Sequence, residues 1–312
     1  MIKDKILILL STYNGENYLE EQLDSLCTQE GVEIHYLIRD DGSTDSTQDI
    51  LKAFSSKNLT AELIFGKNIG CINSFTELLK LAGNYTHSFD YFAFCDQDDI
   101  WLKNKLFVAI QKLKKMSFSK PAMYCSNLYL IDEEGNSIGE MHKRGNVTFS
   151  KGRSLVESIA TGCTVVFNRK VVDFFLQYQP SYMTMHDLWI FHMCAFLGEV
   201  FYDDVPHILY RQHSNNVIGS KATLISRWKN RMKSIKTLSN QHYRELEAKE
   251  MLRLYNDILL SQDRQIISIV AYYKKNLFSR LRFLLPPRRS DLNMSKLELN
   301  FWLKIRIVLG FV

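Results

Sequence analysis

Tyr91-Phe92-Ala93-Phe94-Cys95-Asp96-Gln97-Asp98-Asp99 is the stretch on which the reading of this chain turns. Five apolar side chains in succession, with no polar alternation, predict a strand over residues 90–95 buried on both faces. Such strands belong to parallel sheets covered by helices. The strand stops at three carboxylates within four residues. Like charges that close repel, and a divalent cation relieves the repulsion. Hard oxygen donors favour magnesium or manganese, Mg2+ or Mn2+. Without the apolar run behind them, the same aspartates would read as a solvated turn capping the next helix.

Upstream, the pattern repeats. Residues 5–11 form a continuous apolar run, broken by Asn14-Gly15-Glu16-Asn17 and followed by helical spacing at Leu19, Leu23 and Leu26. Residues 33–39 read as a second strand that ends at Asp40-Asp41-Gly42-Ser43. Thr44 to Thr47 can cap the next helix, which carries Ile50, Leu51 and Phe54. A third strand is expected over 61–65, then helices over 74–82 and 101–116. Alternating strands and helices give an α/β fold with a mainly parallel central sheet flanked by helices. Ligands of such sheets bind beyond the carboxyl ends of the strands. Ser11-Thr12-Tyr13-Asn14, Asp40-Asp41-Gly42-Ser43 and Asp96–Asp99 occupy three such ends, so all three should meet at one rim. Beyond residue 120 the pattern is mixed. Strands are expected at 122–130, 163–167 and 208–212, and helices at 154–160 and 186–197.

Taken singly, Asp-Gly is a common turn and Ser11 to Asn14 a strand-end turn. In order, they resemble something more specific. Ser11-Thr12-Tyr13-Asn14, Arg39-Asp40-Asp41-Gly42-Ser43-Thr44-Asp45 and Cys95-Asp96-Gln97-Asp98-Asp99-Ile100-Trp101 resemble the ordered motifs of family 2 glycosyltransferases with the GT-A fold. The resemblance spans roughly residues 1–220. It implies inverting transfer of a sugar from a nucleoside diphosphate donor. It also implies that Asp41 contacts the nucleobase and that Thr12, Tyr13 and Asn14 line the nucleotide pocket. Asp96 and Asp98 would bind ribose and metal-diphosphate, with Asp98 or Asp99 as the main metal ligand. His186-Asp187-Leu188-Trp189 matches the position of the family's base, with His186 where an acidic or small residue is usual. A single inverting displacement needs one carboxylate to deprotonate the acceptor hydroxyl, and Asp187 takes that role. The bland reading of Asp187 is a charge favoured at a helix N-terminus. Thr161-Gly162-Cys163-Thr164 resembles the acceptor-side loop, so Gly162, Cys163, His186 and Trp189 are expected on the acceptor side. Tyr210-Arg211-Gln212-His213-Ser214-Asn215-Asn216 resembles a segment of bacterial rhamnosyltransferase-like members. There His213 could complete the metal shell and Arg211 pair with diphosphate.

The last third differs. Residues 221–312 hold 19 Lys and Arg against 7 Asp and Glu, whereas residues 1–220 hold 20 against 27. Helical spacing prevails there, with Pro286-Pro287 interrupting it. Residues 278–285 and 301–309 mix Lys or Arg with aromatic and aliphatic side chains, as a helix lying on an anionic membrane does. The alternative is an apolar stripe packed on the catalytic domain or a second subunit, and a homo-oligomer. We therefore expect a catalytic domain over 1–220 and a basic helical region over 221–312. Six scattered cysteines without a CxxC pair suit buried reduced thiols and the cytosol. No run of about 20 apolar residues is present to span a bilayer. Together these predict a peripheral protein on the inner face of the plasma membrane. The leading substrates are dTDP-L-rhamnose and a saccharide or lipid-linked saccharide acceptor, in cell-wall or capsular polysaccharide synthesis; a UDP-hexose donor is the nearest rival. A nucleotidyltransferase would carry a glycine-rich, basic loop after the first strand, and residues 11–16 have one glycine and no basic residue. Nucleic-acid reader motifs are absent, so no nucleic-acid partner is expected.

Overall fold

The computed structural model describes residues 3–213 and 242–312. They form two compact units. The first comprises the described parts of Met1–Asn146, Ala160–Gln177 and Met185–His213. It opens with β1 (Asp4–Thr12), α1 (Leu19–Cys27), β2 (Val32–Asp40), α2 (Thr47–Lys57), β3 (Ala61–Phe65), α3 (Cys71–Ala82) and β4 (Tyr91–Cys95). The expected alternation is therefore present. After β4 come β5 (Ile100–Trp101), α4 (Lys105–Leu113), β6 (Ala122–Ser126), β7 (Tyr129–Ile131) and β8 (Ser137–Glu140). The unit closes with β9 (Val166–Asn168), α6 (Arg169–Gln177), α7 (His186–Leu197), β10 (Glu199–Asp203) and β11 (Ile208–Arg211). Between β8 and β9 the chain passes through α5 (Lys151–Ser154) of the second unit.

The main sheet has the order β10-β6-β9-β4-β1-β2-β3. It is parallel except at β9, which runs antiparallel to β4 and β6. Every side chain of β4 is buried, and Ile6 to Leu10 of β1 are at most 3% exposed, as strands covered on both faces require. Register aligns Thr12 with Asp40 and Leu10 with Cys95, so the ends of β1, β2 and β4 share one rim. A smaller sheet has the order β5-β11-β7-β8.

Several local expectations shift for visible reasons. Trp101 was expected to open a helix. Instead Ile100 and Trp101 pair with β11, and the Trp101 N–H donates to Ser25 Oγ at 3.0 Å. The helix begins only at Lys105. The expected strand 122–130 breaks at Asn127, whose Oδ1 accepts the N–H groups of Leu128 and His142. Such an amide replaces ladder partners with its own. Gly162–Thr164 is a 3₁₀ turn, so β9 starts at Val166.

The second unit comprises Val147–Ile159, Tyr178–Thr184 and the described part of Ser214–Val312. Its helices are α5 (Lys151–Ser154), α8 (Tyr243–Tyr255), α9 (Ser261–Ala271), α10 (Leu277–Leu284) and α11 (Leu297–Leu309). The helix expected at 154–160 is thus a single turn ending at Ser154, capped by the Ser150 hydroxyl. Gly152 lies so close to the Ser290 carbonyl that a Cβ would sit 1.5 Å from the oxygen. Glu250 and Glu247 accept the N–H groups of Ser181 and Thr184. These contacts bind the two short stretches, 147–159 and 178–184, to the C-terminal helices. The boundary expected near residue 220, the tail from 221 to 241 and the polar stretch after His213 lie outside the described residues. No helix among the described residues is long and apolar enough to cross a membrane.

Candidate active site

The strand-end segments are knitted together by side chains. Thr12 Oγ1 donates to Asp40 Oδ1 at 3.1 Å. Asp40 also accepts from the Ser43 N–H and from Gln48, so it shapes the turn that follows β2. Asn14, at φ 47°, accepts the Thr44 N–H at 2.8 Å and donates its own N–H to Ser43 Oγ. Asparagine tolerates this left-handed backbone better than most residues. Gln97 grips the end of β1 from the acidic turn. Its amide accepts from the Tyr13 N–H at 2.8 Å and donates to the Tyr13 carbonyl at 3.1 Å. The Tyr13 ring remains 46% exposed at the rim.

Asp41 is buried. Oδ1 accepts from Arg39 at 2.5 Å and from the Ile69 N–H, and Oδ2 accepts the Gly70 N–H. A carboxylate oxygen has two lone pairs, so Oδ2 keeps capacity for one more donor. Cys71, next in the chain, links the rim electrostatically. Its thiol is pushed up to about 12, first by desolvation and then by the charges of Asp96, Asp187, Asp41 and Asp98 around it.

The three clustered aspartates divide. Asp98 stays partly exposed, and its Oδ2 lies 2.8 Å from His213 Nε2. Asp99 turns inward, is 1% exposed, and accepts the Arg211 N–H through Oδ1 at 3.2 Å. Asp99 Oδ2 has no hydrogen-bond partner among the described residues. Arg211 supports the turn with its side chain. The guanidinium donates to the carbonyls of Asp98 and Glu133, reaches the Glu21 carboxylate and lies 4.6 Å from the Tyr18 ring centroid. Lys105 sits fully buried below, its Nζ 3.3 Å from the Trp101 ring centroid and in electrostatic reach of Asp99 and Asp96.

These residues fit a hard divalent cation. Donors about 2.1 Å from Mg2+ in octahedral geometry lie roughly 3 Å from one another. Asp98 Oδ2 and His213 Nε2 have that spacing. Asp96, Asp99 and Cys163 also bring donor atoms within 4.8 Å of one another. Burial and the two aspartates, however, push the Cys163 thiol far up, so it keeps its proton and suits neither ion. Desolvation, then Asp98 and Asp187, raise Asp96 to about 7. An ion held beside Asp96 needs the carboxylate form, so below pH 7 it must displace a proton. Metal affinity should therefore fall by up to about tenfold for each pH unit below 7 and stay flat above it. Calorimetric Mn2+ titrations between pH 6 and 8 check this; a flat profile would remove Asp96 from the ion's surroundings.

Asp187 lies in the first turn of α7 and accepts the Leu188 N–H through Oδ1 at 2.8 Å. Gly162 abuts it: a Cβ there would lie 3.5 Å from Asp187 Oδ2 and 3.3 Å from His186 Nε2. His186 points into the core, stacked 3.9 Å from Phe75 and edge-on to Phe94. Neither ring nitrogen has a hydrogen-bond partner among the described residues, and burial pushes its pKa down to about 3. Trp189 is buried as well, and Cys163 lies beneath the acidic turn rather than on the surface.

An independent comparison settles the family. The family model "Glycosyl transferase family 2" matches residues 7–175, a segment containing most of β1, the acidic turn and Gly162. The chain belongs to glycosyl transferase family 2. This glycosyltransferase is 29% identical over 261 residues to dTDP-rhamnosyl transferase RfbG of Shigella flexneri, covering 79% of this chain and 83% of that one. It is 30% identical over 172 residues to the UDP-Glc:alpha-D-GlcNAc-diphosphoundecaprenol beta-1,3-glucosyltransferase WfgD of Escherichia coli, covering 54% of this chain and 62% of that one. Its fold resembles S. aureus TarS 1–349 in complex with UDP-GlcNAc, with a TM-score of 0.59 at 17% identity, covering 99% of this chain and 89% of that one. A mannosyltransferase from Pyrobaculum calidifontis, solved with GDP-Man and Mn2+, aligns at a TM-score of 0.50 and 13% identity, covering 99% and 88%.

Sequence reading passed over Gln97, Lys105, Arg39 and Cys71 at this glycosyltransferase site. Gln97 and Arg39 sit within the quoted motifs, and their polarity beside aspartates was the available signal. Lys105 reads as an ordinary exposed helix residue. Only the packing of Trp101 reveals it as buried.

Proposed function

We propose that this glycosyltransferase moves L-rhamnose from dTDP-L-rhamnose, with inversion, onto a lipid-linked saccharide during cell-surface polysaccharide synthesis. The reaction would take place at the cytoplasmic face of the plasma membrane. The observation that carries the reaction type is one rim holding Asp187 across from Asp96, with Asp98 and His213 beside them. The rhamnosyl relative supports the donor sugar, and the diphosphoundecaprenol-linked acceptor named for the E. coli relative supports the acceptor class.

In this reading Asp41 Oδ2 accepts from the nucleobase, while the backbone of Thr12 to Asn14 and the Tyr13 ring flank the nucleoside. Asp96 accepts from the ribose. Asp98 and His213 hold Mn2+ or Mg2+, which when bound neutralises charge on the departing diphosphate. Asp99 and Arg211 hold that turn in place: Asp99 Oδ1 accepts the Arg211 N–H, and the Arg211 guanidinium donates to the Asp98 and Glu133 carbonyls. Asp187 takes the proton of the acceptor hydroxyl as it attacks the anomeric carbon from the face opposite the diphosphate. Gly162 leaves space beside Asp187 for that hydroxyl.

A panel of nucleotide sugars, read by thermal stabilisation with and without Mn2+, tests the donor. A ligand at one hundred times its dissociation constant adds about 2.7 kcal/mol to stability. dTDP-L-rhamnose should stabilise most, and only with the metal. Stronger stabilisation by UDP-glucose would replace rhamnose with a hexose.

A further inference from the structure

The second unit presents apolar side chains outward at helical spacing. Leu277, Phe278, Leu281 and Leu285, on α10 and just after it, are 73%, 74%, 45% and 70% exposed. At about 100° per residue they fall on one arc of the helix, opposite Phe283, which is buried. On α11 the exposed Leu297, Phe301 and Val308 share a stripe with Lys304, while Trp302, Leu303 and Ile307 face inward. The two helices touch, since the Arg280 guanidinium donates to the Val308 carbonyl at 3.3 Å. A monomeric soluble unit rarely leaves so many large apolar side chains in water, and clusters of this kind mark a contact surface.

Charge selects the partner. Residues 271–312 contain nine Lys and Arg against two Asp and Glu. Of the acidic pair, Asp291 already meets Arg153 and Ser150. Lys275, Arg282, Arg288, Arg289 and Lys296 are exposed among the apolar residues. A second copy of this chain would bring like charge against like. A nucleic acid would meet the cations and leave the leucines wet. An anionic bilayer satisfies both, since aliphatic and aromatic groups enter the headgroup boundary while Lys and Arg meet lipid phosphates.

We infer that α10 and α11 form the surface by which this chain docks on an anionic lipid bilayer. The inference deepens the proposed membrane location, yet it stands on the second unit's surface alone. Full-length protein should co-sediment with phosphatidylglycerol-containing vesicles, bind pure phosphatidylcholine at least tenfold more weakly, and lose binding as salt rises. The triple variant Leu277→Ser, Phe278→Ser, Leu285→Ser should weaken binding at least tenfold, and Arg288→Gln with Arg289→Gln about as much. All substituted side chains are exposed, so the melting temperature should hold, which a far-ultraviolet melt verifies. Variants that bind anionic vesicles like the parent would overturn the inference. So would a wild-type protein indifferent to them, or one whose exposed leucines instead close a dimer seen by sedimentation equilibrium. Vesicle binding is read without any nucleotide sugar, so a wrong donor assignment leaves this result intact, and a failed vesicle test leaves the donor panel intact.

Discussion

Asp187→Asn should lower turnover by roughly 10²–10⁴-fold, the usual contribution of a general base, while leaving donor binding unchanged. Three observations set this expectation. Asp187 is the first acidic residue of α7, its carboxylate lies within electrostatic reach of Asp96, and Gly162 leaves space beside its Oδ2. Asparagine retains the oxygen that accepts the Leu188 N–H, so the start of the helix is preserved. It cannot take up a proton. The substitution therefore separates chemistry from architecture. Single-turnover assays should show a slower chemical step, and calorimetry with the donor should give the parent's affinity. Unchanged turnover would assign the proton transfer elsewhere.

Lys105→Met should raise the stability of the metal-free protein at pH 7, by up to about 3 kcal/mol, because it removes a buried charge that has no hydrogen-bond partner among the described residues. The Lys105 ammonium is fully buried, and it faces Asp99 and Asp96 over the Trp101 ring. Desolvation pulls its pKa down to about 8, against the pull of the aspartates and cysteines around it. The sign of the pH dependence follows. The folded state sheds this proton more readily than the unfolded chain, so the group opposes folding most below pH 8. That opposition fades as the pH rises from 8 toward about 10.4, the unfolded value. Methionine fills similar volume, so the change measures charge rather than a cavity. Urea unfolding of the variant and the parent in a chelator at pH 7 reads the effect. A variant less stable than the parent would show that the lysine instead offsets the charge of the acidic turn.

Much of the catalytic frame was legible beforehand because it depends on local pattern. An unbroken apolar run followed by polar residues marks a strand and its carboxyl end whatever the rest of the chain does. This holds for Ile6 to Leu10 and for Tyr91 to Cys95, where both faces of the sheet are covered. Asp187 was legible too, as an acid at the first turn of an apolar helix. The acidic turn was different. Asp98 and Asp99 are neighbours of the same type, and nothing local separates them. Arg211 reads from sequence as a diphosphate ligand, and only the fold places its guanidinium on the Asp98 and Glu133 carbonyls.

The order of apolar runs and carboxylates by itself determined a parallel sheet whose strand ends carry Thr12, Asp41 and Asp96 to one rim, since strand period and burial are properties of short segments. Only the tertiary structure decided that Asp98 faces His213 while Asp99 faces the Arg211 backbone and Cys163. It alone also turned His186 onto Phe75 and tied residues 147–159 to the C-terminal helices. The physical reason is the same in each case. Which of two adjacent charges can stay in water, and which aromatic ring finds a stacking partner, depends on groups brought close by folding from more than a hundred residues away.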